Sequence, residues 1–550
     1  MKQLRRNSAS GLIATAVATL CFLVGTVAPP GLVFAAADGL DPKFGNGGKV
    51  FTHIGFGDRV TSLVFQPDGK IIAAGASCST GIFYASDFAL VRYNADGTID
   101  KSFGNGGKVL TDFFDYEDYI NAVALQKDGK IVAAGRARDG ASLYFGIARY
   151  NINGSLDSTF GTGGKVVSSF FGYGDDAHAL AIQPDGKIVV AGTAFAAPPI
   201  PGDGTPNANF GLARYNSDGS LDPTFGSGGK VTTDFGNYDI VTAIAIQPDG
   251  KIVAGGNTTN RDTNTDFALA RYNKDGSPDL SFGSGGKTVT DFVRQSDFVA
   301  GLALQPDGKI VVAGDVSTDS SPSHSAEGFG LARYDKDGKL DSSFGSTGKV
   351  ITQGELIAAN AVAIQPNGKV LAAGLAIHNS SGDFALARYN SNGSLDQGFG
   401  IGGIITTDFT PSDQAFALGI QTDGKVVIGG AAYEAESGNG FALARYDVGS
   451  ISTKIFDTQI QNGTSLLQFD SVTGDYSFTD CTSGLTLTGV GHIKAHGCKL
   501  ILEDTGDDFA VWAKVNVCTN SGKTSIQLFP QGVSFTFKAG DINNTASPCN

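Results

Sequence analysis

The sequence predicts an all-β protein, a seven-bladed β-propeller with four-stranded antiparallel blades followed by a small C-terminal β-sandwich or barrel. Three observations predict this fold class. A segment close to QPDGKIVVAG occurs seven times in the 550 residues. Each copy belongs to a unit that contains four strand-like runs. The chain has 77 glycines and 10% aromatic residues, a composition that favours turn-rich β structure over helix.

The repeat has a period near 60 residues. The first glutamine of each copy marks the period, with steps of 60, 57, 64, 58, 60 and 56 residues. These glutamines are Gln66, Gln126, Gln183, Gln247, Gln305, Gln365 and Gln421. Self-similarity at such a period is typical of propellers and solenoids.

Residues 221–273 show one complete unit, with the runs KVTTDF, VTAIAIQ, KIVAGG and DFALARYN. The PDG between the second and third runs predicts a tight hairpin, because Pro presets φ and Gly accepts a positive φ. These two runs are almost continuously apolar, as expected for strands covered on both faces. The last unit lacks its own KVxTDF strand, so the first strand of the chain is expected to close the ring.

The LDxxFGxGGKV, QPDGKIVxAG and FALARYN segments resemble the delta-60 repeat family, which is found in bacterial surface and secreted proteins. The resemblance covers about residues 40 to 447 and implies a propeller fold. It implies no activity, because no general catalytic or binding role is attached to the family. The seventh unit departs from the pattern, since its IGGIITTDF lacks the usual lysine.

The two ends of the chain differ from the repeats. Residues 1–37 have a basic start, an apolar run and small residues near Ala35, which indicates a secretory signal peptide and an exported, extracellular, periplasmic or cell-surface protein. Residues 38–449 form the predicted propeller, and 450–550 the C-terminal β domain. Four cysteines there predict two disulfides with three possible connectivities, and metal binding is the alternative. They are Cys481, Cys498, Cys518 and Cys549.

The charge of the chain restricts the expected partners. The formal net charge is -14, and loss of Lys2, Arg5 and Arg6 with the signal peptide makes the mature chain three charges more negative. Such a surface argues against nucleic acid and anionic membranes as partners. We expect no membrane insertion, a monomer, and no cofactor other than possible Ca²⁺.

Residues that recur in every unit are predicted to be structural, because a catalytic group is needed only once. Seven arginines in the ARY segments and seven aspartates before LDxxFG are predicted to form ion pairs, with an arginine-lined ligand ring as the alternative. The arginines are Arg92, Arg149, Arg214, Arg271, Arg333, Arg388 and Arg445. The aspartates are Asp41, Asp100, Asp157, Asp222, Asp279, Asp341 and Asp396.

Two connections in each unit vary in sequence and lie on the same side of the predicted ring, so this side is the predicted ligand-binding face. Four tyrosines predicted to be exposed on this face favour binding there. They are Tyr116, Tyr119, Tyr173 and Tyr238. Six aspartates precede the hairpin glutamines by eight residues. They are Asp58, Asp118, Asp175, Asp239, Asp297 and Asp413. They predict either a rim of carboxylates for a cation or separate caps on their own loops.

Three function classes follow. The first is a non-enzymatic scaffold that binds a protein, polysaccharide or cell-surface partner. The second is a metal-assisted hydrolase or lyase at the channel mouth, and the third is a purely structural surface protein. No recognisable catalytic motif is present, and His53, His178, His324 and His378 fall in different units.

Overall fold

The computed structural model describes residues 39–448 and the backbone of eight strands between 458 and 538. The gaps within the first range are 79–85, 197–206, 237, 260–264, 293–295, 318–327, 379–380, 411 and 435–437. The predicted signal peptide, His324 and the four C-terminal cysteines lie outside the described residues. Among those that are described, no helix is long and apolar enough to span a membrane.

The repeats form short strands. The strands of the first three units are β1 (Lys49–Thr52), β2 (Phe56–Phe65), β3 (Ile71–Cys78), β4 (Ser86–Tyr93), β5 (Lys108–Thr111), β6 (Tyr119–Leu125), β7 (Ile131–Arg138), β8 (Leu143–Tyr150), β9 (Lys165–Ser168), β10 (Asp175–Ile182), β11 (Ile188–Phe195), β12 (Ala208–Tyr215) and β13 (Lys230–Thr233). The strands of the remaining units are β14 (Tyr238–Ile246), β15 (Ile252–Thr259), β16 (Thr265–Tyr272), β17 (Lys287–Thr290), β18 (Asp297–Leu304), β19 (Ile310–Val316), β20 (Phe329–Tyr334), β21 (Lys349–Thr352), β22 (Leu356–Ile364), β23 (Val370–His378), β24 (Ser381–Tyr389), β25 (Ile404–Thr407), β26 (Asp413–Ile420), β27 (Val426–Glu434) and β28 (Gly438–Tyr446).

Each unit is an antiparallel set of four strands in chain order, for example β2-β3-β4-β5. Five units are separate four-stranded sheets, whereas β10 to β17 form one eight-stranded sheet. The prediction of seven separate blades is therefore corrected to five separate blades and one double sheet. The cause is a single parallel pair between Ala208 of β12 and Tyr238 of β14, which joins two neighbouring units.

The first strand of the chain completes the last unit. Strand β1 pairs antiparallel with β28, with Lys49 opposite Ala444 and Thr52 opposite Phe441. The first strand of every unit contacts the first strands of both neighbouring units, and β26 contacts β2. The units therefore surround one axis, and the two ends of the repeat region close the ring.

The repeated QPDGK makes the same hairpin in every unit. In the first copy, Gln66 N donates to Lys70 O over 2.8 Å and Gly69 N donates to Gln66 O over 2.9 Å. Gly69 has a φ of 84°, which only glycine adopts at low cost. The hairpin and the long turn after the third strand lie on one side, which we call the constant face. The other two connections of each unit form the variable face.

The hydrophobic cores lie between neighbouring units. One core joins Phe44 and Val60 to Phe441 and Leu443 of the last unit, and all four side chains are fully buried. Each of the seven core clusters in the described part combines residues of two adjacent units in the same way. Full burial of such a side chain contributes about 1.5–3 kcal/mol, so each unit is stabilised by its neighbours.

The C-terminal segment consists of strands that each pair antiparallel with the next in the chain. They are β29 (Thr458–Gln461), β30 (Ser465–Phe469), β31 (Asp475–Asp480), β32 (Leu485–His496), β33 (Lys499–Asp504), β34 (Trp512–Asn516), β35 (Lys523–Phe529) and β36 (Val533–Lys538). The expected all-β segment is therefore present as one meandering sheet. Its closure into a sandwich or barrel stays a prediction.

Candidate functional site on the variable face

The repeated arginines and aspartates form ion pairs at the constant face. The Nε of each arginine donates to an aspartate Oδ2 over 2.6 to 3.0 Å. The pairs are Arg92–Asp100, Arg149–Asp157, Arg214–Asp222, Arg271–Asp279, Arg333–Asp341, Arg388–Asp396 and Arg445–Asp41. All fourteen residues are buried or nearly so. Each pair pins the long turn that follows the third strand.

Each arginine also connects its unit to the next one. The guanidinium of Arg271 lies 4.6 Å from the centre of the Phe282 ring, and its Nη1 donates to the carbonyl of Lys336 in the following unit. Arg445 makes the equivalent bond to Ala95 and so joins the last unit to the first. These contacts favour a structural role for the arginines over a ligand ring.

The electrostatics of these aspartates follow from their partners. Burial acts to raise the pKa of Asp279, but hydrogen bonds from Lys251 and Ser281 and the charge of Arg271 outweigh it. The pKa of this carboxyl therefore lies well below its usual range. The aspartate is ionised at every pH at which the protein is expected to be folded.

The six aspartates at the starts of the first strands are buried under their own loops, with at most 2% of each residue exposed. Asp58 Oδ2 accepts a hydrogen bond from Ile54 N over 2.7 Å. Asp118 accepts from Phe113 N over 2.7 Å and from Arg138 N over 2.9 Å. Equivalent loop N–H groups bond Asp175, Asp239, Asp297 and Asp413.

The structure places these six aspartates under their own loops rather than at an exposed rim. Their oxygens are directed to backbone N–H groups that lie three to five residues earlier in the chain, and their burial removes them from a ligand arriving from solvent. These hydrogen bonds agree with the other interpretation of the pattern, in which each aspartate caps its own loop.

Three of the capping aspartates belong to acidic triads. Within each triad, one carboxylate oxygen from each residue lies within 4.8 Å of the others, which is close enough to share a cation. The triads are Asp87–Asp112–Asp118, Asp266–Asp291–Asp297 and Asp383–Asp408–Asp413. Burial raises the pKa of Asp118 to about 7, and burial likewise raises the pKa of Asp297 to about 7. Proton uptake is therefore one way in which the triads lose charge.

This arrangement predicts a pH dependence of stability. The Asp297 carboxyl has a folded-state pKa of about 7, above its ordinary value of 3.8. It therefore stabilises the folded state fully below about pH 4, and this contribution is lost as the pH rises through 7. The depressed pKa of Asp279 acts oppositely, because its contribution is lost only at strongly acidic pH. We expect the thermal midpoint to rise by a few degrees between pH 8 and pH 5 and to fall below pH 3.

Replacement of Asp297 by Asn tests the origin of that dependence. The neutral amide keeps an oxygen for the Phe292 N–H but cannot titrate. The midpoint of Asp297→Asn should change less between pH 5 and pH 8 than that of the unchanged protein, whereas Asp185→Asn, at an exposed hairpin turn, should leave the dependence intact. An equal slope for all three proteins would contradict the assignment.

The variable face carries the exposed aromatic side chains of the described residues. They are Phe56, Phe114, Tyr116, Phe171, Tyr173, Phe298 and Tyr433, with between 37% and 52% of each residue exposed. Exposed large aliphatic residues are found at the constant-face turns and on fourth strands as well, for example Ile152, Leu280 and Val289. Of the four predicted tyrosines, Tyr116 and Tyr173 are exposed, whereas Tyr119 and Tyr238 are half-buried.

A group of polar residues that departs from the repeat lies on and beside the first strands of units 1 to 3. Arg136 Nε donates to Asp176 Oδ2 over 3.0 Å, and Tyr119 Oη donates to the same oxygen over 3.2 Å. Arg59 also contacts the Tyr119 ring, with its guanidinium carbon 5.9 Å from the ring centre. Glu117 adds a second carboxylate, 3.8 Å from Arg136 Nη1. We call these five residues the polar cluster.

Sequence comparison within the chain could have found the polar cluster. The position after the capping aspartate holds Arg59, Tyr119 and Asp176 in the first three units, but Ile240 and Phe298 in the next two. A departure from the repeat is where a function that is needed once is expected. Residues that recur in every unit do not reveal it, because the polar cluster consists of residues that differ between units.

The described histidines do not share a site. His178 Nε2 lies 3.2 Å from Thr193 Oγ1, and burial lowers the pKa of its imidazole. His53 lies 3.3 Å from Glu434, and His378 Nδ1 lies 2.9 Å from Glu355. These contacts belong to three separate places on the ring.

The constant face has a groove of about 490 Å³ beside the Arg333 ion pair. Gln305, Lys309, Ser391 and Asn392 line it. Gln305 and Lys309 belong to the hairpin segment that every unit contains. Residues that occur in every unit are interpreted as structural, so we assign this groove to the scaffold and not to a binding site.

Comparisons with known proteins agree with this fold. The family described as domain of unknown function (DUF5122) beta-propeller matches seven segments, 66–103, 126–160, 183–225, 247–282, 305–344, 365–399 and 421–448. A second repeat family, the WD domain, G-beta repeat, matches residues 47–83. No curated protein matches the chain at a significant level.

Solved structures similar to the chain are distant. A protein of unknown function from Dyadobacter fermentans is 14% identical, with a TM-score of 0.39 over 72% of this chain and 98% of its own. Sqt1 from Chaetomium thermophilum is 13% identical, with a TM-score of 0.38 over 71% and 97%. A PQQ-bound aldose sugar dehydrogenase from Streptomyces coelicolor is 14% identical, with a TM-score of 0.35 over 59% and 93%. At these values the likenesses say nothing about activity.

The repeat matches and the structure point to the same architecture. Seven matched segments follow one another along the chain, and each begins at a hairpin glutamine. The structure arranges the corresponding strands as four-stranded antiparallel sets around one axis. Seven segments of the chain therefore match a β-propeller repeat family, and the structure has the fold that this family describes.

Proposed function

We propose that the protein is an exported, non-enzymatic β-propeller scaffold that binds a protein, polysaccharide or cell-surface partner through its variable face. The observation that carries this proposal is the position of the exposed aromatic residues, which lie on that face in the described part of the chain. Aromatic side chains dominate the energetics of interfaces because each buries a large area at low entropic cost.

The two faces differ in how their residues repeat, and this difference supports the proposal. The constant face is built from groups that occur in every unit, such as the Arg271–Asp279 pair. The variable face contains the polar cluster and loops of different lengths, which a rigid ring holds in place. Binding sites are commonly built on loops of this kind.

The alternative function is a metal-assisted hydrolase or lyase at the channel mouth. It would require histidines and carboxylates that converge on one substrate. The described histidines instead contact Glu434, Thr193 and Glu355 at separate places. This separation favours the non-enzymatic proposal.

Export is part of the proposal and rests on the pattern of residues 1–37. The intact mass of the protein recovered from the culture medium or periplasm should correspond to a chain that begins between residues 36 and 38. A cytoplasmic protein that retains its first residues would contradict export.

We also propose that the repeats belong to the delta-60 family and act as seven blades, with the eight-stranded sheet serving as two of them. The seven Arg–Asp pairs, one per unit, support this count. Averaged electron-microscopy views along the ring axis should show seven lobes. Five or six lobes would contradict the proposal.

Sedimentation with cell envelopes tests the binding function. The labelled mature protein is mixed with envelopes of the producing organism, and the bound fraction is measured against protein concentration. The variant with Tyr116→Ser, Tyr173→Ser and Tyr433→Ser should bind at least about tenfold more weakly, since each lost aromatic anchor costs on the order of 1 kcal/mol or more.

A matched control replaces exposed aliphatic residues on the constant face, namely Ile152→Ser, Leu280→Ser and Ile401→Ser. This variant should bind as the unchanged protein does. Equal binding by both variants, or loss only in the control, would contradict the proposal. Treatment of the envelopes with protease or with glycosidases then identifies the chemical class of the partner.

A further inference from the structure

Arg59 lies against the inner wall of the ring. It is on β2, the first strand of its unit, and its guanidinium carbon is 5.5 Å from the centre of the Phe416 ring and 5.9 Å from that of the Tyr119 ring. These rings belong to β26 and β6, the first strands of the two neighbouring units. A side chain that touches both neighbours of its own strand lies on the side that faces the axis.

The charge of Arg59 has no partner among the described residues. Its Nε is buried and has no hydrogen-bond acceptor, and none of the ion pairs in the described part includes it. Leaving a buried donor without an acceptor is unfavourable, so an acceptor supplied by a ligand would stabilise this arrangement.

One oxygen of the Asp176 carboxylate in the polar cluster is bonded to other residues. Asp176 Oδ2 accepts hydrogen bonds from Tyr119 Oη and from two nitrogens of Arg136. The Arg136 guanidinium also stacks on Tyr119, 4.8 Å from the ring centre. The Tyr119 ring thus contacts two guanidinium groups, and the charge of Asp176 compensates Arg136 rather than Arg59.

The flanking groups indicate the class of ligand. A guanidinium presents a planar fork that matches a planar carboxylate, and one positive charge balances one negative charge. Two aromatic rings beside the fork provide apolar surface for a compact ring attached to the carboxylate. A phosphate dianion would need further cations, whereas the neighbouring Glu117 is itself an anion.

We propose that Arg59, Tyr119 and Phe416 form a binding site for a carboxylate carried on a compact ring, as in a sugar acid or an aromatic acid. Arg59 binds the carboxylate, and the two aromatic rings contact the body of the ligand. This inference deepens the proposed function, on which it rests, because it places one chemically defined subsite at the centre of the variable face.

Isothermal titration of the mature protein with sodium glucuronate and, separately, sodium benzoate tests the site. Chloride keeps the ionic strength constant in all titrations, and sodium phosphate serves as the competing anion class. At least one of the two carboxylates should bind saturably. The carboxylate that binds more tightly identifies the body of the ligand as a sugar or as an aromatic ring. The Arg59→Gln variant should bind it at least about tenfold more weakly, the loss expected when a charge-assisted hydrogen bond is removed.

Lys70→Gln is the matched control, because it removes the same charge from the same unit but at the hairpin of the constant face, where Lys70 pairs with Asp68. It should bind as the unchanged protein does. Arg59→Lys keeps the charge without the fork and should be intermediate, which keeps the test informative if Arg59→Gln unfolds. Absence of saturable binding by both carboxylates, equal binding by Arg59→Gln, or stronger binding of phosphate would overturn the inference.

The outcome can be separated from that of the proposed function. If neither carboxylate binds but the mature protein still sediments with envelopes in a manner that depends on the aromatic residues, only the subsite is wrong. If the aromatic variant sediments normally while glucuronate binding depends on Arg59, the subsite stands and the macromolecular partner is wrong.

Discussion

Replacement of Asp279 by Asn is expected to lower the free energy of unfolding by about 3–5 kcal/mol, the usual cost of breaking a buried ion pair. The change leaves the guanidinium of Arg271 buried at 5% exposure without its counter-charge. It also removes the charge that holds Lys251, whose Nζ lies 2.8 Å from Asp279 Oδ2. The midpoint of urea unfolding, followed by circular dichroism, measures the effect.

Asp249→Asn is the control for this experiment. Asp249 lies in the hairpin turn of the same unit, where its exposed carboxylate accepts a hydrogen bond from Lys251 N over 3.0 Å. The amide retains an acceptor oxygen, so the expected cost is below about 1 kcal/mol. If the two variants unfolded at the same urea concentration, the repeated pair would not be a main source of stability.

Replacement of Val50 by Asp is expected to open the ring. Val50 is 9% exposed and lies on β1 opposite Leu443 of β28. Burial of an unpaired carboxylate there costs several kcal/mol, about 3 or more, which exceeds what four paired residues of an edge strand can compensate. The last unit would lose its fourth strand, and Phe441 and Leu443 would be exposed to solvent.

Hydrogen exchange of the peptides that cover β27 and β28 measures this opening. Exchange should become faster there in Val50→Asp, while peptides from units 2 to 5 should be affected less. Val167→Asp introduces the same charge on the equivalent strand of unit 2, but at a residue that is 39% exposed, and should leave exchange nearly unchanged. Unaltered protection of β28 in Val50→Asp would show that β1 does not hold the ring closed.

Structural features that depend only on residues close together in the chain were predictable from the sequence. The QPDGK hairpin needs a positive φ at Gly69, and any copy with the same residues makes the same turn. The ion pairs were predictable for a similar reason. In six of the seven pairs the two residues are eight positions apart, as in Arg271 and Asp279, so one turn brings them together.

Features decided by distant contacts were not predictable in the same way. The repeat pattern predicts that Asp118 lies beside the first strand of its unit. It does not predict whether the carboxylate oxygens point into the channel or accept a hydrogen bond from the N–H of Phe113, as they do in the structure. The eight-stranded sheet depends on the parallel pairing of Ala208 with Tyr238, which are 30 residues apart in the chain. The position of Arg59 depends on the Phe416 ring, more than 350 residues away in the chain.

The most direct test of this account is the difference in hydrogen exchange of the mature protein with and without the envelope fraction to which it binds. The account predicts that protection concentrates on the variable face, in peptides that contain Tyr116, Tyr173 and Tyr433 and at the start of β2. The hairpin segments of the constant face, such as the turn at Gly250, should exchange at the same rate in both states. Protection centred on the hairpins, with the variable loops unchanged, would contradict the assignment of function to the variable face.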